Sequence, residues 1–214
     1  MITLIGNLKG GTGKSTVTFN LAVWLAAQQK KVTVFDLDPQ ATLSDVVEVR
    51  NNQEYDPKIS IKQNISELNN SKKTEILIDV GTADMDAFKS AVTIADRIVI
   101  PITPSQADIW STQRFMKIVR DNSTKKNTPK LFGFINRADT HRGVRETDEA
   151  AQAIKGLNDL ALVDIRWHQR TAYRRSFSEG LAVFEMEPRS KAATEVNQLA
   201  TILYSSLFIV DGVH

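Results

Sequence analysis

Short apolar runs alternate along this chain with longer stretches in which apolar residues return every three or four positions. The runs fall at residues 2–5, 32–35, 76–80, 97–100, 131–135 and 160–165. Their length and bounding glycines, prolines and polar residues predict buried strands. Between them, Val17, Leu21, Trp24 and Leu25 mark a helix over residues 14–30 buried on one face, with Trp24 in the core. Further helices are predicted over residues 107–120 and 147–156 (Ala150, Ala151, Ile154). A last one, over 190–210, carries Val196, Leu199, Ile202, Leu203 and Leu207 at helical spacing. Residues 45–75 are Asn-rich with mixed charge and predict only a short strand near 59–61; no function is assigned to them. Residues 117–129, with Lys125-Lys126, read as a solvated loop. Strand–helix alternation from end to end implies an α/β protein, a doubly wound, mostly parallel sheet with helices on both faces, folded as a single domain over residues 1–214. In such sheets functional groups gather at the carboxyl ends of the strands.

The chemistry is densest at the end of the first run. Lys9-Gly10-Gly11-Thr12-Gly13-Lys14-Ser15-Thr16 joins a strand to a helix. Glycines let the backbone curl with its N–H groups inward around a polyphosphate, and the helix directs its positive end at the same anion. In this reading Lys14 reaches the β- and γ-phosphates and the Ser15 hydroxyl ligates Mg²⁺. Three fixed glycines, two lysines and a Ser/Thr in that order would arise by chance in roughly one chain of this length in ten thousand. Two further strands end in carboxylates, the second at Asp36-Leu37-Asp38-Pro39-Gln40 and another at Asp79. An acid at a strand tip after a phosphate loop supports Mg²⁺ directly or through water.

Composition narrows the alternatives. The 214 residues are 42% hydrophobic and 24% charged, as expected of a soluble globular protein. No apolar run reaches the length of a membrane span, and Met1-Ile2-Thr3 lacks the basic start of a signal peptide. The absence of cysteine fits a reducing compartment and rules out an iron–sulfur cluster held by thiolates. Charge is uneven, with 11 cationic against 13 acidic residues up to residue 110 and 16 against 12 beyond it. That basic excess permits a nucleic-acid face without requiring one.

An ordinary phosphate loop has glycine where this chain has Leu8, and here an extra lysine, Lys9, stands at the loop's start. KGGTGKS resembles the deviant Walker A box of the ParA/MinD family of ATPases. DLDPQ is similar to that family's switch I, and the Pro101-Ile102-Thr103-Pro104-Ser105 segment to its IPxxPS turn. Residues 169–185 resemble its C-terminal QR…Y…GxxVFE block. Beyond Asp79 the chain departs from the family's Thr-Pro-Pro, reading Val80-Gly81-Thr82. The likeness covers nearly the whole chain apart from residues 45–75, and with the loop starting at residue 9 it is that of a short-form ParA.

The resemblance implies an ATPase in which two subunits sandwich two ATP molecules. Lys9 of each would reach the partner's phosphates, and Lys14 would hold phosphate in its own subunit. Gly10, Gly11, Thr12, Gly13, Ser15 and Thr16 would complete the nucleotide cradle. Ser15, Asp36 and Asp79 would surround Mg²⁺, and Asp38 would position the attacking water. Asn136, and Arg137 beside it, would meet the adenine. A homodimer formed on ATP would bind nucleoid DNA without sequence preference through Arg166, Arg170, Arg174, Arg175, Arg189 and Lys191. A ParB-like or cargo-adaptor protein would stimulate slow hydrolysis and release it. The cargo would be a plasmid, a chromosome or a protein body such as a carboxysome, and the location cytoplasmic and nucleoid-associated. His168 reads as a turn or core histidine rather than a metal ligand. Two alternatives remain, a MinD-like membrane ATPase and a small-metabolite ATP-dependent synthetase of the same superfamily. The first needs cations flanking an apolar tail, and none follows Lys191, so no membrane partner is expected.

Overall fold

Every strand pair is parallel in a computed structural model of the chain, which describes residues 1–68, 74–81, 84–124, 127–141 and 145–207. The elements run β1 (Ile2–Ile5), α1 (Lys14–Ala27), β2 (Lys31–Asp36), α2 (Thr42–Asn52), β3 (Ser60–Lys62) and β4 (Thr74–Asp79). Then come α3 (Met85–Ile94), β5 (Arg97–Ile102), α4 (Gln106–Asn122), β6 (Lys130–Ala138), α5 (Glu146–Lys155) and β7 (Leu160–His168). The chain closes with α6 (Thr171–Ser178), α7 (Val183–Met186) and α8 (Lys191–Tyr204). The sheet order is β3-β2-β4-β1-β5-β6-β7. Winding therefore reverses around β1, and the crevice this opens lies at the carboxyl end of the strand that feeds the phosphate loop.

Two apolar layers cover the sheet. One gathers α1, α2, α6 and α8 through residues such as Phe19, Leu43, Tyr173 and Leu199. The other gathers α3, α4 and α5 through Phe88, Phe115 and Ile154. Strand residues divide between them by the pleat: Ile5 and Val99 face the first layer, Leu4, Ile98 and Ile100 the second. The central strands read as unbroken apolar runs because both faces are covered.

Several expectations shift. The helix α1 is buried on every side from Val17 to Leu25, since α8 and α2 pack over the face that would otherwise meet water. Trp24 is in the core, its indole N–H donating to Asn197 Oδ1 at 3.0 Å. The stretch 45–75 contains most of α2 as well as the edge strand β3. Its anchor is Arg50, fully buried, which donates to both carboxylate oxygens of Glu185 (2.8 and 2.9 Å) and to the carbonyls of Pro57 and Gly180. A buried arginine interrupts the apolar period, which is why the pattern conceals the helix. The helix α3 is likewise not among the predicted elements. The strand β7 runs three residues further than predicted, to His168, so Arg166 stands on a strand. In α8, Ile202 turns out to solvent at 49% exposure while Leu199, Ala200, Leu203 and Tyr204 pack inward. Among the described residues no helix is long and apolar enough to cross a membrane. Thr82, Lys125-Lys126 and residues 208–214 lie outside the described residues.

Candidate nucleotide site

The loop between β1 and α1 has the backbone that a polyphosphate requires. Gly13 caps α1 at φ +88°, and a β-carbon there would sit 2.5 Å from Asn136 Nδ2, so both conformation and space demand glycine. The first turn of α1 has no side-chain cap and no acidic residue, which leaves its N–H groups and positive end for an anion. Lys14 is buried below this loop with its ammonium 3.5 Å from the Lys9 carbonyl. Burial pushes its pKa down, against the opposing pull of Asp79 and Asp38. A buried ammonium under the loop is placed to meet a phosphate held by the loop N–H groups.

The acidic side is built at two strand ends, those of β2 and β4. Among the described residues, neither oxygen of the buried Asp79 carboxylate has a well-formed hydrogen bond. Burial pushes this carboxyl up to about 7, with the Ser15 hydroxyl pulling it down and the charge of Asp36 adding to the rise. A buried carboxylate with two unused oxygens beside a hydroxyl fits a hard dication that keeps part of its water shell. Asp36 is more committed than its place in the sequence suggests. Its Oδ2 accepts from the backbone and hydroxyl of Ser44, both at 2.8 Å, and its Oδ1 from the Asp38 N–H at 3.3 Å. It therefore braces the turn that carries Asp38. The Asp38 carboxylate lies over Gly81, where a β-carbon would come within 2.5 Å of Oδ2. The glycine that departs from the family pattern is what gives Asp38 room.

Lys9 leaves its own loop. Its ammonium lies 2.5 Å from Oδ2 of Asp108, a side chain with no exposed surface in the first turn of α4. Burial would raise the Asp108 carboxyl, but Lys9, Ser105 and Thr103 outweigh it and hold the group below its ordinary value. No sequence pattern singles out Asp108, although Ser105 three residues before it is a capping signal: the Ser105 side chain accepts from the Asp108 N–H.

A cavity of about 430 Å³ opens beside the phosphate loop, lined by Gly13, Thr16, Asn136, Trp167, Arg170 and Tyr173 among others. Asn136 donates to the Thr12 carbonyl at 2.6 Å and accepts from the Arg137 N–H at 3.0 Å, tying β6 to the loop and keeping one amide proton for a ligand. The strand β6 is bulged here, with Arg137 at φ +56° and its side chain exposed at the rim.

The six basic residues expected on one DNA face stand in different surroundings, although Arg170 and Arg174 line the same cavity. Arg170 belongs to the cavity wall, donating to Glu195 Oε1 at 2.7 and 3.1 Å. Two of its five N–H donors are used in this pairing. Arg166 pairs with Asp148 at 2.7 Å on the α5 side. Arg174, Arg175, Arg189 and Lys191 are exposed on α6 and around the start of α8, Arg175 within 3.6 Å of Glu187. His168 ends β7, partly exposed, with Nδ1 2.8 Å from Glu195 Oε1. Trp167, Tyr173 and Glu195 join the site without having been expected there. The one available signal is a carboxylate beside Val196 on the apolar face of the last helix.

A model of the CobQ/CobB/MinD/ParA nucleotide binding domain matches residues 3–181. The chain is 27% identical over 204 residues to the maintenance of carboxysome distribution protein A of Halothiobacillus neapolitanus, covering 91% of this chain and 92% of that one. Among solved structures it resembles a plasmid partition protein from Borrelia burgdorferi B31 bound to AMPPNP (TM-score 0.75, 17% identity, 96% of this chain and 98% of that one). It also resembles the MinD cell division protein of Aquifex aeolicus (TM-score 0.74, 19% identity, 95% and 97%). At these identities the two structures speak for the fold. With the phosphate loop, its buried lysine and the orphaned aspartate assembled at the switch of the sheet, the chain belongs to the CobQ/CobB/MinD/ParA nucleotide-binding domain family, as a ParA/MinD-type ATPase.

Proposed function

We propose that the chain is an ATP-driven positioning protein that works as a nucleotide-dependent dimer on DNA. One observation carries this reading: the Lys9 ammonium serves no group of its own phosphate loop but stands half-exposed against Asp108. A lysine at the start of a phosphate loop that its own loop does not use can serve another subunit once it leaves Asp108. The carboxysome-distribution relative, matched over nearly its full length, supports a cargo-distributing role.

In this mechanism Lys14 and the loop N–H groups hold the β- and γ-phosphates. Ser15 and Asp79, with Asp36 behind them, would hold Mg²⁺, which when bound neutralises charge on the phosphate oxygens. Asp38 orients a water toward the γ-phosphorus. As that water's oxygen bonds to phosphorus, the bond to the β–γ bridging oxygen breaks, and ADP and phosphate result. Lys9 from the second subunit adds positive charge where negative charge develops in the transition state, so hydrolysis requires the dimer. Arg174, Arg175, Arg189 and Lys191 would face DNA phosphates without reading bases. A cargo-bound ParB-like or adaptor protein would stimulate turnover and so release the dimer from the nucleoid into the cytoplasm.

The test is binding to random duplex DNA with ATP, with ADP and with neither, beside gel filtration of ATP-saturated Asp38→Ala protein. ATP-dependent binding by a dimer is expected. Equal binding in all three states, or single copies only, would overturn the reading.

A further inference from the structure

Glu195 does not line the cavity beside the phosphate loop, yet four residues that do are fastened to it. Its Oε1 accepts from Arg170 Nε and Nη2 (3.1 and 2.7 Å) and faces His168 Nδ1 at 2.8 Å. Its Oε2 accepts from the His168 N–H at 3.1 Å and the Tyr173 hydroxyl at 2.9 Å. Its backbone carbonyl accepts the Trp167 indole N–H at 3.0 Å. The residue is 7% exposed and comes from α8, whereas its partners sit on the end of β7 and the start of α6. Burial and the charge of Glu195 hold the Tyr173 phenol well above its ordinary value, so it keeps the proton it donates. The Trp167 and Tyr173 rings stack at 5.1 Å and 12°, completing a flat wall.

We propose that Glu195 is the positioning residue for the nucleoside end of the site, fixing the wall against which base and sugar rest. The proposal rests on reading this cavity as the seat of the nucleoside of ATP. Its physical basis is preorganisation. Arginine, histidine and tyrosine side chains already held by one carboxylate are not ordered again when the ligand arrives, and that saving appears as affinity. Charge matters too. Paired with Glu195, Arg170 presents a neutralised surface to an uncharged ring, whereas unpaired it would be a mobile cation seeking phosphate.

The phosphate end is built by other residues, so the two ends can be measured separately. Wild-type protein, Glu195→Gln and Tyr173→Phe are titrated with Mg·ATP and with inorganic tripolyphosphate, and thermal melts report folding. For Glu195→Gln the Kd for ATP is expected to rise about tenfold while that for tripolyphosphate stays within about twofold. Tyr173→Phe keeps the ring and removes one donor, so it tests the same wall with less disturbance; about a threefold rise for ATP alone is expected. Equal losses on both ligands would reduce Glu195 to a support of the fold, and no loss on either would remove its role; both overturn the proposal. If wild-type protein binds tripolyphosphate as tightly as ATP, the cavity is not a nucleoside seat, and the reading beneath the proposal fails with it.

Discussion

The Lys9 ammonium and the buried Asp108 carboxylate stand 2.5 Å apart, joining the start of the phosphate loop to the first turn of α4 across 99 residues of sequence. Within the proposed mechanism this pair competes with the dimer, because a lysine held by Asp108 cannot reach a second subunit's phosphates. Asp108→Asn keeps the size of the side chain and removes the charge. With Lys9 half exposed, the loss of stability should not exceed about 1 kcal/mol. In an Asp38→Ala background with ATP, the double variant should dimerise at lower protein concentration than Asp38→Ala alone, read by light scattering over a dilution series. Weaker dimerisation would assign Asp108 the opposite role.

Gly81 lies under the Asp38 carboxylate, with space for no further carbon. Gly81→Ala should therefore move Asp38 and spare the phosphate loop. Turnover should fall at least about tenfold with nucleotide affinity nearly unchanged, since small misplacement of a water-orienting group costs rate more than binding. Steady-state kcat and KM measured beside a direct ATP titration check this.

Asp79 gives a dependence on pH whose sign is fixed. Its carboxyl is raised to about 7 in the folded protein from an ordinary value of 3.8. Between those values the native state keeps a proton that the unfolded chain has lost, so this group's contribution to stability falls as pH rises and its penalty is complete above about 7. Asparagine does not titrate. In EDTA, the stability advantage of Asp79→Asn over wild type should be larger at about pH 8 than at about pH 5, by on the order of 1–3 kcal/mol. Urea unfolding at the two pH values tests this, and a difference that does not grow with pH would contradict the burial argument.

Arg174, Arg175, Arg189 and Lys191 are the exposed members of the basic set, while Arg166 is spent on Asp148. Replacing the four by alanine should reduce the slope of log affinity for duplex DNA against log salt by about one per lost phosphate contact. Arg166→Ala should leave that slope unchanged. Fluorescence anisotropy at several salt concentrations separates the two results.

Most of the phosphate end is legible in the order of residues alone, because its chemistry is local. Gly13, Lys14 and Ser15 act within one turn of backbone, so their spacing states their geometry. Asp38 and Asp79 can be placed because each follows an apolar run, and parallel strands bring such ends to one edge. The helix α2 escapes notice because its period is broken by Arg50, whose charge becomes tolerable only when Glu185 closes on it from 135 residues away.

The cavity beside the phosphate loop shows the opposite case. Arg170 in sequence looks like part of a basic run, and only the packing of α8 against β7 turns it inward to Glu195. The succession of apolar and polar residues determined the alternation of strands and helices, the phosphate loop and the acids at the strand tips, since these depend on neighbours along the chain. The partners of Lys9, Arg170 and Tyr173 were decided by tertiary structure. A buried charge or hydroxyl takes whichever complementary group the packing brings within about 3 Å, and sequence separation carries no information about that distance.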